Sequence, residues 1–337
     1  MPTLRQLGTS DLHLTPVGLG TWAMGGGDWK ASWGPQDDAD SVATIHAALD
    51  GGINWIDTAP AYGLGHAETI VGRALKERAE AGHDRPIVAT KCGRVWPEGV
   101  RDQLNGNLTA KSVKTECESS LKRLGLETID LYQIHWPDPD DQIEEAWRAI
   151  AELKQAGKIR HAGVSNFSVE QIQRVQQAAP DLPVVSLQPQ YNLVQRQIEH
   201  DVLPFCQENN IGVVGYSTLA KGLLTGKVTK AWVENLPDDD HRKRDPLYQP
   251  ERLDALEVPL EKFAEQARNL GLTPTQLAVV WSATQPGVTS AIAGARRPDQ
   301  IEPVAAVTAA PAGVAADALA ALADLFPASI EAPRPTR

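Results

Sequence analysis

The amino-acid sequence predicts an α/β protein built as a single (β/α)8 TIM barrel, and three observations carry that prediction. Short apolar runs alternate with longer stretches of helical period, giving eight strand candidates. Such alternation implies parallel strands joined by right-handed crossovers. No Gly/Ser-rich or Pro-rich linker divides the 337 residues, so one domain over 1–337 is expected. The rival doubly wound sheet lacks a working nucleotide fingerprint, whereas eight strand–helix units in a chain of this length match the barrel.

The elements follow in order. Residues 3–15, alternating around Gly8-Thr9-Ser10, read as an N-terminal hairpin. Val17–Gly20 is the first barrel strand, and Ser41–Asp50 then places Val42, Ile45, His46 and Leu49 on one helical face. Ile53–Ile56 precedes helical Glu68–Arg78, and Ile87–Thr90 precedes Val113–Leu124. Ile129–Ile134 leads to Ile143–Leu153, Ile159–Val164 to Val169–Ala178, and Val184–Leu187 to Ile198–Glu208. Ile211–Gly215 and Ser290–Ala293 are the last two strands, with Thr273–Thr284 and Asp299–Ala306 as helices.

Two segments stand outside the repeat. After the seventh strand, 228–256 is a long polar insertion containing Asp238-Asp239-Asp240 and Arg242-Lys243-Arg244. Loops of this length are lids or mobile segments. Its basic run leaves both readings open, closure over a ligand or a solvated loop. Residues 307–337 read as a helix at Ala315–Leu325 and a tail with Pro327, Pro333 and Pro335.

Composition excludes several classes. Lys plus Arg number 32 and Asp plus Glu 43, a net charge of −11. That balance predicts no nucleic-acid partner, since such binding rests on clustered cations. No apolar run is long enough to span a bilayer, and the N-terminal residues lack a signal peptide's apolar stretch, so no membrane partner is expected. Cys92, Cys117 and Cys206 are widely spaced, and the histidines show no metal-ligand spacing, so neither a disulfide framework nor a metal site is predicted. The expectation is a cytoplasmic protein, with a monomer as the simplest oligomeric state.

Two glycine motifs mislead. Gly18-Leu19-Gly20-Thr21-Trp22-Ala23 satisfies G-x-G-x-x-A, but Met24-Gly25-Gly26-Gly27 cannot open the helix that holds a pyrophosphate. Gly222 to Lys227 is one residue short of a P-loop, and Val228 stands where a hydroxyl is needed. That segment can still present backbone N–H groups to a phosphate.

Barrel chemistry sits at the carboxyl ends of the strands. Asp57 ends the second strand, Lys91 the third and His135 the fourth, with Tyr62 five residues beyond Asp57. Any one alone is more simply a cap, a solvated cation or a structural imidazole. Together they form a proton donor for a carbonyl. A Lys ammonium beside the phenol is expected to lower its pKa, a carboxylate to orient the Lys, and the His to position the substrate. Reduction also needs a hydride, which a nicotinamide carries.

Asp57-Thr58-Ala59-Pro60-Ala61-Tyr62-Gly63, Ala89-Thr90-Lys91 and Gln133-Ile134-His135-Trp136-Pro137-Asp138 resemble three signature blocks of the aldo-keto reductase family. The likeness runs from Gly18 to about residue 300 and is nearest to the bacterial general-stress and inositol-dehydrogenase-like subgroup. It implies a catalytic tetrad of Asp57, Tyr62, Lys91 and His135 with Tyr62 as general acid. It also implies a nucleotide lying across the barrel mouth. By the same matching, Thr21, Trp22 and Asp57 lie near the reactive ring. Ser165, Asn166 and Gln188 bind the carboxamide, and Tyr216 stacks under the nicotinamide.

Ser217, Thr218, Leu219, Ala220, Lys221, Gly222 and Leu224 match the loop over the pyrophosphate, with Lys227 supplying charge. Gly294, Ala295, Arg296 and Gln300 match the segment that receives the adenosine 2′-phosphate, with Arg297 beside it, so NADP(H) is expected over NAD(H). In place of the family's Glu-Asn after Gln300, the chain reads Ile301-Glu302-Pro303-Val304, which removes an adenine-binding Asn. Trp22, Trp33, Trp96 and Trp136 are expected to line the substrate pocket. The function so implied is NADP(H)-dependent reduction of an aldehyde or ketone, a small-molecule carbonyl substrate. The alternatives are a nucleotide-binding redox sensor with little turnover and an unrelated barrel enzyme.

Overall fold

In the computed structural model, which describes residues 3–308 and 314–327, eight strands close on themselves in parallel register. They are β1 (Val17–Gly20), β2 (Trp55–Asp57), β3 (Ile87–Cys92), β4 (Ile129–Ile134), β5 (Ile159–Ser165), β6 (Ser186–Gln188), β7 (Gly212–Gly215) and β8 (Val288–Gly294). Successive strands pair with one another, and β8 pairs with β1 through Ala291–Val17 to Gly294–Gly20. All eight coincide with predicted strands, Val17–Gly20 and Ile129–Ile134 with the same bounds and the others displaced by one or two residues at their ends.

The N-terminal hairpin forms as predicted, Arg5–Gln6 pairing antiparallel with His13–Leu14. Its Leu7, Leu12 and Leu14 are buried with Trp55, Ala89, Leu131, Val185, Val214 and Ile292, so the hairpin plugs the amino-terminal end of the barrel. Asp130 anchors that end. It accepts from both nitrogens of the Arg85 fork at 2.6 and 2.9 Å, from the Val88 N–H at 2.9 Å and from Arg160 at 2.8 Å. Gly18 has a packing role: a Cβ there would stand 2.0 Å from the Trp55 indole inside the barrel. The chain after β1 turns through a short 3-10 helix, Trp22–Met24, as the failed fingerprint requires.

The crossover helices Asp38–Asp50, His66–Glu80, Ala110–Leu124, Ile143–Gln155 and Val169–Ala178 match the periodic runs. Several start where the sequence supplies a cap: Ser168 and Thr273 each close a capping box with the Gln three residues on. Two elements were not anticipated. Arg94–Val95 and Asn105–Gly106 form a small hairpin after β3, too short for alternation to reveal. A 20-residue helix, Pro250–Asn269, buries Leu253, Leu256, Phe263 and Ala267, and Pro259 inside it hides its period.

The insertion is therefore corrected on two counts. It ends where this helix begins at Pro250, and it is folded, with a helix at Lys230–Glu234 and 3-10 turns at His241–Arg244 and Pro246–Tyr248. The Asp239 carboxylate accepts from Ser32 Oγ at 2.9 Å and the Asp28 N–H at 3.2 Å, joining the insertion to the loop after β1. Tyr248 donates to the carbonyls of Lys221 at 2.7 Å and Ala220 at 3.2 Å, joining it to the loop after β7. The predicted C-terminal helix is present at Ala316–Asp324, and the tail from 328 lies outside the described residues. No described helix is long and apolar enough to cross a membrane.

Candidate active site

Strand alternation decides which side chains reach the mouth. Trp55, Ala89 and Leu131 pack inside the barrel, whereas Ile56, Val88 and Tyr132 belong to the cluster outside it. Two residues further on, Asp57 and Lys91 share the inner face. Lys91 is fully buried, and its Nζ donates to Asp57 Oδ1 at 2.7 Å, the Thr58 carbonyl at 2.9 Å and the Tyr62 hydroxyl at 3.3 Å. The Tyr62 and His135 rings meet edge to face at 5.7 Å. The four residues predicted to act together are thus adjacent.

The electrostatics differ from the expectation in one respect. Burial, and then the Asp57 carboxylate, raise the Tyr62 phenol well above its ordinary value of 10.0, so the predicted lowering is corrected. The physical reason is that the Lys91 charge is matched by Asp57 at shorter range than by Tyr62, while a phenolate here would lose its water. Burial also pulls the Lys91 ammonium down, against the opposing effect of Asp57. Burial, then Lys91 and Arg94, hold His135 well below 6.5, a neutral imidazole near neutral pH.

The residues expected at the nicotinamide end form one hydrogen-bonded network with this group. Gln188 Nε2 donates to Asp57 Oδ2 at 2.7 Å, and Ser165 Oγ donates to the Gln188 carbonyl at 2.7 Å. Asn166 Nδ2 donates to Ser165 Oγ at 3.0 Å and to the His135 carbonyl at 3.1 Å. Tyr216 donates to Asn166 Oδ1 at 2.9 Å, and Thr21 Oγ1 to the Asp57 carbonyl at 3.1 Å.

After β7 the backbone adopts left-handed φ values at Ser217, Ala220, Lys221 and Gly222, the kind of turn that gathers N–H groups into an anion-binding concavity. Ser217 Oγ is buried with no partner there, as a site for a polar ligand would leave it. Thr218 is buried and donates to the Ile292 carbonyl at 2.8 Å, and Ala220 and Leu224 are in the core, so these three shape the loop. Leu219 packs against the same core from a partly buried position. Lys221 pairs with Asp245, and Lys227 is exposed beyond the turn at Gly226.

At the far end, Gly294 and Ala295 lead into the helix Pro298–Thr308, and Gln300 Oε1 accepts from the Arg296 N–H at 2.8 Å. The Arg296 guanidinium differs from the expected free clamp. It donates to Gln36 Oε1 at 2.6 Å, to the Trp33 carbonyl at 3.0 Å and to the Pro35 carbonyl. Arg297 is exposed and paired with Asp299 at 3.1 Å.

The four tryptophans separate. Trp22 and Trp33 meet edge to face at 5.2 Å, and Trp22 lies nearly parallel to Tyr62 at 6.2 Å. Trp136 packs instead beneath Arg94 at 5.8 Å, and Trp96 is half-buried beside the hairpin strand Arg94–Val95. His241, which the sequence reading did not place at the site, packs on Trp22 and Trp33, and Arg242, from the basic run for which closure over a ligand was one of two open readings, packs on Trp33. The adjacent basic run drew attention to the insertion, but no local pattern marks His241.

Comparison with known proteins agrees with this architecture. A model of the aldo/keto reductase family matches residues 16–313. The chain is 42% identical over 298 residues to aldo-keto reductase YhdN of Bacillus subtilis, covering 88% of this chain and 86% of that one. It is 36% identical over 314 residues to a protein named NADH-specific methylglyoxal reductase from Escherichia coli, covering 89% and 92%. Among solved structures, glycerol dehydrogenase AKR11B4 from Gluconobacter oxydans aligns with a TM-score of 0.84 and 39% identity, covering 99% and 98%. Aldo-keto reductase AKR11C1 from Bacillus halodurans, in its holo form, aligns with a TM-score of 0.76 and 29% identity, covering 97% of each chain. The chain belongs to the aldo/keto reductase family, oxidoreductases that act on small carbonyl compounds with a nicotinamide cofactor.

Proposed function

We propose that the protein is an NADP(H)-dependent reductase of aldehydes or ketones in which Tyr62 is the general acid. The observation that carries this reading is Lys91 Nζ, held between Asp57 Oδ1 at 2.7 Å and the Tyr62 hydroxyl at 3.3 Å. A bound nicotinamide supplies the hydride that reduction needs and that no side chain carries. The hydrogen-bonded network of Ser165, Asn166, Gln188 and Tyr216 supports their holding the nicotinamide end, and the left-handed backbone within 217–222 supports its holding the phosphates.

A phenol with a raised pKa keeps its proton until a carbonyl oxygen accepts it. As the proton leaves, the Lys91 ammonium stabilises the phenolate, and Asp57 with the Thr58 carbonyl keeps that ammonium in place. The neutral His135 offers an N–H to orient the carbonyl oxygen. Solvent then returns a proton to Tyr62.

For the 2′-phosphate, exposed Arg297, paired with Asp299, is the cation we assign at the start of the helix Pro298–Thr308, while Arg296 fixes the loop at 33–36 against it. Buried, free Cys92, Cys117 and Cys206 fit a cytoplasmic setting. We read residues 1–337 as one barrel domain acting as a monomer. The test is steady-state oxidation of NADPH and NADH with a panel of aldehydes. Turnover with a preference for NADPH is expected, and tight nucleotide binding without turnover would favour a sensor instead.

A further inference from the structure

The insertion meets Trp22 through the His241 side chain. The His241 ring stacks on Trp22 with centroids 4.8 Å apart and planes 30° apart, while Trp33 meets it edge-on at 4.7 Å. Its Nδ1–H donates to the Ser32 carbonyl at 3.0 Å, and its backbone N–H donates to the same oxygen at 2.9 Å. Trp22 is thereby held from three sides, since its own Nε1 donates to the Ala31 carbonyl at 3.1 Å and Lys221 Nζ lies 5.8 Å from its ring. Trp22 also stacks near Tyr62, with centroids 6.2 Å apart and planes 22° apart.

That last spacing has a steric consequence. Admitting a flat ring between two others requires about 7 Å between them, twice an ordinary carbon contact. The Trp22–Tyr62 separation is shorter, and the contacts of His241 and Trp33 with the Trp22 ring oppose its moving away from Tyr62. The His241 Nε2 is buried without a partner, so the ring acts here through its shape and face. Burial, then Lys221, lower its pKa to about 4, which keeps the imidazole uncharged near neutral pH.

We propose that His241 is a specificity-determining residue: by fixing Trp22 against Tyr62 it confines the substrate cleft to small aliphatic carbonyl compounds. The proposal rests on the reductase reading above, and His241 acts through Trp22 as a positioning residue. The test compares kcat/KM for propanal and 2-naphthaldehyde in the cofactor-supplied enzyme. The wild type is expected to favour propanal. His241→Ala is expected to shift the ratio toward the bulky aldehyde by roughly tenfold, the size of an aromatic contact, with KM for propanal raised and KM for 2-naphthaldehyde lowered. His241→Phe, which restores a ring, is expected to keep the wild-type ratio. His241→Leu fills the volume without an aromatic face and gives the same reading as alanine where the alanine variant fails to fold. An unchanged ratio in both the alanine and leucine variants, or a phenylalanine variant shifted as far as alanine, would overturn the proposal. Wild-type enzyme that reduces neither aldehyde would overturn this proposal and the reductase reading together.

Discussion

Gln188 donates its side-chain N–H to Asp57 Oδ2 at 2.7 Å, across 131 positions of sequence. Asp57 Oδ1 holds Lys91, so one buried carboxylate couples the proposed nicotinamide end of the site to its proton donor. Replacing Gln188 by Leu removes the donor and leaves that oxygen unsatisfied. A loss of about 1–3 kcal/mol in unfolding free energy is expected, read from the urea midpoint. Gln188→Glu is expected to be worse, because it places a second carboxylate against Asp57. Unchanged midpoints in both variants would show that the contact contributes nothing.

Asp130 is expected to contribute to stability toward acid. Burial would raise its carboxyl, but hydrogen bonds from Arg85, the Val88 N–H and Arg160 reverse the effect and hold it below the ordinary 3.8. A depressed carboxylate contributes its stability fully above the unfolded value and loses it as pH falls through the folded one. Asp130→Asn removes the charge that two half-exposed guanidiniums share, and about 1–3 kcal/mol is expected to be lost at pH 7. The difference between wild type and variant should shrink below pH 4, read as converging urea midpoints. A difference independent of pH would contradict this assignment.

The proposed preference for NADP(H) is tested at Arg297. Arg296 is engaged by Gln36 and the carbonyls of Trp33 and Pro35, so in the NADP(H) reading the more exposed Arg297, paired with Asp299, is the cation proposed to meet the 2′-phosphate. Arg297→Ala is expected to raise KM for NADPH roughly tenfold while leaving that for NADH alone, the size of a lost charged hydrogen bond. Equal effects on both nucleotides would exclude this role.

These assignments also show which features a linear sequence reveals. Asp57, Lys91 and His135 are legible because they close three consecutive strands, where barrel topology brings polar ends together. Ser165, Asn166, Gln188 and Tyr216 are legible only through the resemblance to the family's motifs. The position of His241 depends on contacts with Trp22, Trp33 and Ser32 some two hundred residues away, for which no local pattern exists. The helix Pro250–Asn269 was hidden by Pro259 and by charged residues around a narrow apolar stripe. The engagement of Arg296 and the raised Tyr62 phenol arise from neighbours and burial that only the folded chain supplies.

The central claim is that Tyr62 donates the proton with Lys91 beside it. The most direct measurement is single-turnover reduction of a reactive aldehyde by Tyr62→Phe, with nucleotide affinity followed by fluorescence. A rate lower by about 10²–10⁴-fold, with nucleotide affinity kept within about twofold, is the predicted result. A Tyr62→Phe enzyme that turns over at the wild-type rate would contradict the mechanism.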